Sequence, residues 1–449
     1  MIEQQEDENQ LQGKLVCWLI VALALVNLVA HIAAVRSSNG RLPFFCANDR
    51  SRWCTISSLV DHDSYAIDKV IKRRGWDSID KVRHKGTDGK WHYYSSKPTL
   101  LTTMCAVPYG VMNRVFDIEI EDAPFTVVRT SLLLINVLPL LLYFWLLLRL
   151  THELCETAWA RMFVVTAATW GTFLTPFSVS LNNHVPAAIS VLLTVYAVLK
   201  VWNEETPKWR YFVIAGFGAA FAAANELPAL SFFVSIAAAL LWKFPRPTLI
   251  AFAPSAAVIL GGFFGTNYVA HHDLRPPYTH RDPGDDWYDY PGSYWIGEKQ
   301  GVDKGEPSIP KYAFHVLLGH HGVFSLTPIF LLSLAGAVYW LLNDQDRLRA
   351  FSLMTLVLTV VCLTFYTLLR PEIDRNFGGV CAGFRWAFWL IPLWLIAMMP
   401  VADWLSESRL RRGAAYTLLA ISVFSATFAA SNPWQHPWMY QLSELLFAS

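Results

Sequence analysis

Apolar residues gather in runs of about 17–24 with few charges, such as Leu15 to Val35, Ser131 to Leu148 and Phe351 to Leu369. Such runs are long enough to cross ~30 Å of hydrocarbon, and in lipid each must close its backbone hydrogen bonds as a helix. Scanning the chain gives about eleven candidate spans, near 15–35, 130–148, 162–178, 184–200, 211–225, 227–242, 248–269, 322–342, 350–369, 385–400 and 413–430. Asn225, Glu226 and Pro228 interrupt the pair at 211–242. The pattern predicts an all-α polytopic membrane protein whose transmembrane domain covers 15–430, between a cytoplasmic tail at 1–14 and an outer tail at 431–449.

Short loops give the orientation, because Lys and Arg near span ends favour the cytoplasm. With the N-terminus inside, the inner loops hold Arg149 and Arg161, Lys200, Lys208 and Arg210, Lys243 and Arg246, Arg347 and Arg349, and Arg409, Arg411 and Arg412. The outer turns at 179–183 and 225–227 hold neither Lys nor Arg. The loop at 370–384, with Arg370 and Arg375, runs against this trend. Two long polar segments, 36–129 and 270–321, then lie outside. Leu15 to Val35 is too long for a secretory leader and follows the acidic residues Glu3, Glu6, Asp7 and Glu8, so it is expected to be retained as the first span.

Composition agrees: 54% of residues are hydrophobic and 16% charged, against about 25% charged in soluble domains. A formal net charge of +1 excludes a nucleic-acid partner, which would demand clustered basic residues. Seven scattered cysteines do not make a disulfide scaffold, although Cys46 and Cys54 share one loop and could pair or stay free. No phosphate-loop motif and no internal repeat is present.

Within the first outer loop, Ile56, Leu59, Val60, Ile67, Val70 and Ile71 recur at helical spacing, predicting an amphipathic helix over Thr55 to Lys72 on the membrane surface. Asp61, Tyr65 and Asp68 would share its polar face, and Asp63 would fall on the apolar stripe. Asp88-Gly89 reads as a turn. Lys97, held before Pro98, is placed to clamp a lipid phosphate.

The segments DHDSYAID and YYSSKPTLLTTMCAVPYG resemble the D-E-x-x-Y-A-x-I and Y-x-x-K-P-P-L segments of polyprenol-phosphate-dependent glycosyltransferases of the GT-C superfamily. The parallel is to the branch with the aminoarabinose transferases and protein O-mannosyltransferases. The resemblance implies that Asp61 is the base toward the acceptor, that Tyr65 is the family Tyr four residues later, and that Lys97 contacts the donor phosphate; Asp63, close by in sequence, is the second candidate catalytic carboxylate. Ser64 and Ser96 replace the Arg and Glu of that branch, and the missing Glu removes a metal-holding group. LNNHVPAA, LGHHGVFSLTP and NFGGVCAGFRW fall where related enzymes carry rim motifs.

Asn182, Asn183 and His184 read either as a helix cap or as a cavity rim that orients a sugar or phosphate. Glu226 is either a loop carboxylate or one facing a cavity, and Arg385 either grips a phosphate or snorkels to headgroups. Adjacent His320 and His321 lack a carboxylate at ligand spacing, so neither a metal nor another cofactor is expected. The whole implies an inverting transfer of a sugar from a polyprenyl-phosphate donor to a lipid, glycan or protein acceptor outside the plasma membrane. The competing classes are a transporter or flippase of lipid-linked saccharide and a polysaccharide polymerase or ligase. A transporter would place polar residues at span centres, whereas here they cluster at the predicted outer ends.

Overall fold

The computed structural model describes residues 2–344 and 347–447. Most of it is helical, with two short antiparallel β-ribbons. Five helices are long and apolar enough to span a bilayer: Gln12–Ala34, Pro124–Leu154, Pro245–His271, Arg347–Leu369 and Arg409–Ala429. The pair Arg385–Ala397 and Met399–Ser406, bent by 44°, makes a sixth if taken as one span.

The expected count of eleven is therefore not reached by length. Several apolar runs fold as shorter helices, among them His184–Leu199, Leu227–Lys243 and Phe330–Asn343. The predicted span at 162–178 breaks after Ala158–Trp170 at Gly171, and the one at 322–342 breaks around Pro328. At 14 to 17 residues the three shorter helices rise ~21–25 Å, short of the ~30 Å hydrocarbon thickness. His184–Leu199 is packed inside the bundle, whereas the other two bury one face and keep residues such as Val234, Trp242, Val338 and Leu342 exposed on the other. Gly336 shows how tightly the buried face packs, since a Cβ there would overlap the Ala397 carbonyl oxygen.

The first helix, α1 (Ile2–Ala34), continues through most of the expected tail; the acidic side chains before Gln12 lie outside the described residues. At one end of the bundle, Lys200 and Arg347 both pair with Glu153, bringing three predicted inner segments together. The long polar segments occupy the opposite end.

There the chain forms α2 (Ala47–His62), the hairpin β1 (Lys81–Lys85) and β2 (Trp91–Ser95), and α3 (Thr99–Phe116). The hairpin register pairs Lys81 with Ser95 and Lys85 with Trp91. Its turn falls at Asp88-Gly89 as expected, with Gly89 at φ +76°. Val82 and His84 alternate onto its buried face. The segment after His271 packs on that face: the Trp287 ring lies 4.1 Å from that of His84, Arg83 N–H donates to the Trp287 carbonyl at 2.8 Å, and Tyr288 and Tyr290 are buried. The second polar loop is thus ordered, and its aromatic residues build structure around the hairpin.

The surface helix expected over Thr55 to Lys72 is corrected. The helix starts at Ala47, ends at His62 and is buried from Asn48 to Ser58 against α3. Asp63 caps it at φ +49°, exposed, with its N–H donating to the Ser58 carbonyl. The chain then turns back, and Ile67 N–H donates to the Tyr93 carbonyl of β2 at 2.8 Å. Ile56, Ile67 and Val70 are all buried, so their periodicity is real burial shared among a helix, a turn and a short 3-10 segment. Cys46 and Cys54 are both free thiols: Cys46 accepts from the Asp49 N–H, and Cys54 donates to the Trp76 carbonyl at 3.2 Å.

Candidate functional site

A polar cluster forms where the first turn of α2, the exit of β2, the turn before His184, the break at Glu226 and the segment around Arg385 meet. It begins with Asp49, which Cys46 caps at the head of α2. Asp49 is fully buried, its Oδ2 accepts from the Phe45 N–H at 3.4 Å, and the Leu181 N–H and the Trp53 indole also face the carboxylate. Burial pushes its pKa up to about 7, against the opposing pull of the Phe45 N–H and the Arg52 guanidinium.

One turn on, buried Arg52 donates to the Asn48 carbonyl at 3.1 Å, to the Asn48 side chain and to Asn183 Oδ1. Burial lowers its pKa to about 10 despite the Asp80 charge. Asn183 passes the network on, donating to the Asn225 carbonyl at 3.0 Å and to Glu226 Oε1. His184 Nδ1 lies against the same Glu226 oxygen, and its Nε2 accepts from Arg385 at 3.0 Å. With Nε2 accepting, the ring proton sits on Nδ1, facing the carboxylate. Arg385 also donates through Nε to the Gly378 carbonyl at 2.8 Å and lies 5.1 Å from the Trp434 ring centre.

Lys97 completes the cluster from the hairpin side. Its ammonium pairs with Asp80 Oδ2 at 3.0 Å, and burial lowers its pKa against the pull of Asp80. Ser51 ties α2 to the hairpin by donating to the Asp80 carbonyl and touching Ser95 Oγ at 2.6 Å. Lys97 and Arg385 are half-buried whereas Asp49 and Arg52 are sealed behind them, so two cations form the accessible lip of a site with a carboxylate at its back. Such an arrangement can hold an anionic group on the cations and offer a base behind it.

Of the expected site residues, the structure brings together His184, Glu226 and Arg385, with Lys97 on the neighbouring wall. The cap reading is met by Asn182, whose Oδ1 accepts from the N–H groups of His184 and Val185 at 3.0 and 3.1 Å. Asp61 stands apart, a further ~18 Å along the α2 axis from Asp49. Its carboxylate is taken up by the Tyr109 hydroxyl, by Ser57 at 2.7 Å and by Arg73 at 3.5 Å. Tyr65 bonds Thr103 at 2.8 Å, and Asp68 bonds His92 at 3.0 Å, so the three expected on one face serve separate contacts. His320 and His321 pack on Phe377, with His315 stacked on His320 at 3.9 Å. Among the described residues no three His, Cys, Asp or Glu side chains converge as a metal set.

Asp49, Arg52 and Asp80 were not singled out from the sequence. A signal existed: Asp49, Trp53 and Ile56 repeat the Asp, aromatic at +4 and Ile at +7 of the D-E-x-x-Y-A-x-I segment, whereas after Asp61 the Ile falls at +6.

No protein-family model matches the sequence, and no curated protein matches it. The structure is similar to the crystal structure of ArnT from Cupriavidus metallidurans bound to undecaprenyl phosphate, with a TM-score of 0.50 and 14% identity over 92% of this chain and 68% of that one. Against ArnT in the apo state the TM-score is 0.48, with 15% identity over 89% of this chain; there the chain spans 61% of ArnT's length. The likeness shows that the two chains share a fold.

Proposed function

We propose that this chain, sharing the fold of ArnT, is a membrane glycosyltransferase that moves a sugar from a polyprenyl-phosphate donor to an envelope acceptor. The observation that carries the reading is Asp49: a buried carboxylate with a pKa of about 7, set behind the cations Lys97 and Arg385. A base for general catalysis works best with its pKa near the working pH. The ArnT structure bound to undecaprenyl phosphate supports a donor of that class.

In this reading the acceptor hydroxyl or amine gives its proton to the Asp49 carboxylate as it bonds the anomeric carbon. The bond from that carbon to the phosphate oxygen breaks, and the lipid phosphate leaves with the electron pair. Lys97 and Arg385 stabilise that charge, Lys97 exchanging Asp80 for phosphate. Glu226 and His184 act through Arg385, fixing its fork. One base and an anionic leaving group suit a single displacement with inversion. The resemblance-based role of Asp61 passes to Asp49, because the Asp61 carboxylate is committed to Tyr109, Ser57 and Arg73. Asp63 is exposed at the helix cap and has no part in it. The site end faces out of the plasma membrane and the Glu153 end faces the cytoplasm, following the basic short loops.

The test is sugar transfer from polyprenyl-phosphate donors in membranes holding wild-type protein, Asp49→Asn, Asp61→Asn or Asp80→Asn. Loss in Asp49→Asn with activity kept in Asp61→Asn is the expected result. Loss in Asp61→Asn alone would return the base to that residue, and no transfer from any donor would sink the enzyme reading. Inversion fails if donor and product share one anomeric configuration.

A further inference from the structure

Behind the catalytic cluster lies a cavity of about 160 Å³ between α1, the helix Ala158–Trp170 and the helix Arg409–Ala429. Asn27 and His31, one turn apart on α1, enter it from one side. Trp170 forms a wall, and Thr427 and Ser431 stand at the far side. Among the described residues none of these five side chains has a hydrogen-bond partner. Asn27 sits ~10 Å inside the end of the span Gln12–Ala34, where an unpartnered amide in hydrocarbon costs several kcal/mol. A polar residue at that depth needs a partner that the chain does not supply.

We propose that this cavity binds the hydroxyl-rich, uncharged headgroup of a membrane lipid, a glycerol or sugar moiety. The lining contains no Lys, Arg, Asp or Glu, so nothing in it selects a charged group. Amide, imidazole and hydroxyl groups beside an indole face match the alternating polar edge and apolar face of a polyol. The volume admits one such ring or glycerol unit, and the position within a span favours a group delivered on a lipid.

The site is separate from the catalytic cluster yet shares a wall with it. Thr175, Pro176 and Val179 line the cavity, while Phe177 and Ser180 of the same turn face the other way. Phe177 meets the His184 ring edge-on at 6.4 Å, and Ser180 accepts from the Trp434 indole N–H at 2.9 Å. An occupant would brace the turn that carries Asn182 and leads into His184.

The probe is glucosyl-dioleoylglycerol, compared with dioleoylglycerol, which has the same chains and a single hydroxyl, by native mass spectrometry of the detergent-purified protein. One glucosyl-dioleoylglycerol is expected to survive activation that strips dioleoylglycerol. Asn27→Leu and His31→Phe are expected to cut its retention about tenfold, the equivalent of losing about 1.4 kcal/mol. Thr427→Val, at the far wall, gives a smaller loss and keeps the result interpretable if an α1 variant unfolds. Methyl glucoside is added in parallel, and its saturable binding at Asn27, in place of the lipid, would assign the same site to a free saccharide and overturn the lipid source. Equal retention of both lipids, or retention insensitive to all three substitutions, overturns the site.

Discussion

Replacing Asp49 by Asn is expected to stabilise the protein at alkaline pH while abolishing transfer. Burial at the head of α2 raises this carboxyl from 3.8 to about 7. Below 3.8 it is protonated in both folded and unfolded chains, and the full stability is present. Between 3.8 and about 7 the unfolded chain ionises first and stability falls; above that both forms are ionised and the loss is constant. A displacement of about three pH units at 1.36 kcal/mol each gives a loss of about 4 kcal/mol. Asn carries no charge, but its buried N–H donors lack partners, which costs about 1–3 kcal/mol. The variant is therefore expected to be more stable than wild type by about 1–3 kcal/mol at pH 8, and less stable near pH 4. Unfolding of both proteins in detergent, followed by circular dichroism at several pH values, measures the difference, and the wild-type rate of transfer should rise with pH through about 7. A variant less stable than wild type at pH 8, or a difference that does not move with pH, would refute the reasoning.

Asp61→Asn is expected to keep transfer and lower unfolding stability by about 1–2 kcal/mol, since it weakens hydrogen bonds from Tyr109 and Ser57 and removes the charge facing Arg73. Arg385→Lys keeps a positive charge but cannot bond Gly378 and His184 at once; transfer is expected to fall about 100-fold with the protein still inserted. Gly336→Ala drives a methyl into the Ala397 carbonyl and is expected to cost about 1–3 kcal/mol in the same unfolding assay, without changing the pH profile of transfer.

Much of this was legible because lipid punishes misplaced polarity. Lys97, His184, Glu226 and Arg385 stood out as charged or polar residues at the ends of apolar runs, and three of the four share one hydrogen-bonded network. The start of α2 was not legible. ANDRSRWCT reads as a solvated loop, yet Asn48, Asp49, Ser51 and Arg52 are buried. Arg52 reaches Asn183, and Arg385 acts on Arg52 electrostatically, although both lie far along the chain, and no local pattern announces such distant partners. Ile56 and Ile67 misled for the opposite reason: burial on either side of a turn mimics one helical stripe. Five or six of the apolar runs stay long helices, because hydropathy sees only an apolar run, whereas residues such as Gly171 and Pro328 decide whether that run stays one helix.

The cluster draws its first residues from near Cys46 and its last from Arg385 and Trp434. During synthesis, Asp49, Arg52 and Glu226 are therefore in place long before the cation that balances Glu226 through His184 leaves the ribosome. Buried charge without its partner is costly, so the nascent bundle cannot close at this end until the final third arrives. A chain stopped before Arg385 would be more than an inactive copy. Its open polar seam would mark it for the proteases that survey the membrane, so that completion of the site and survival of the chain become one event.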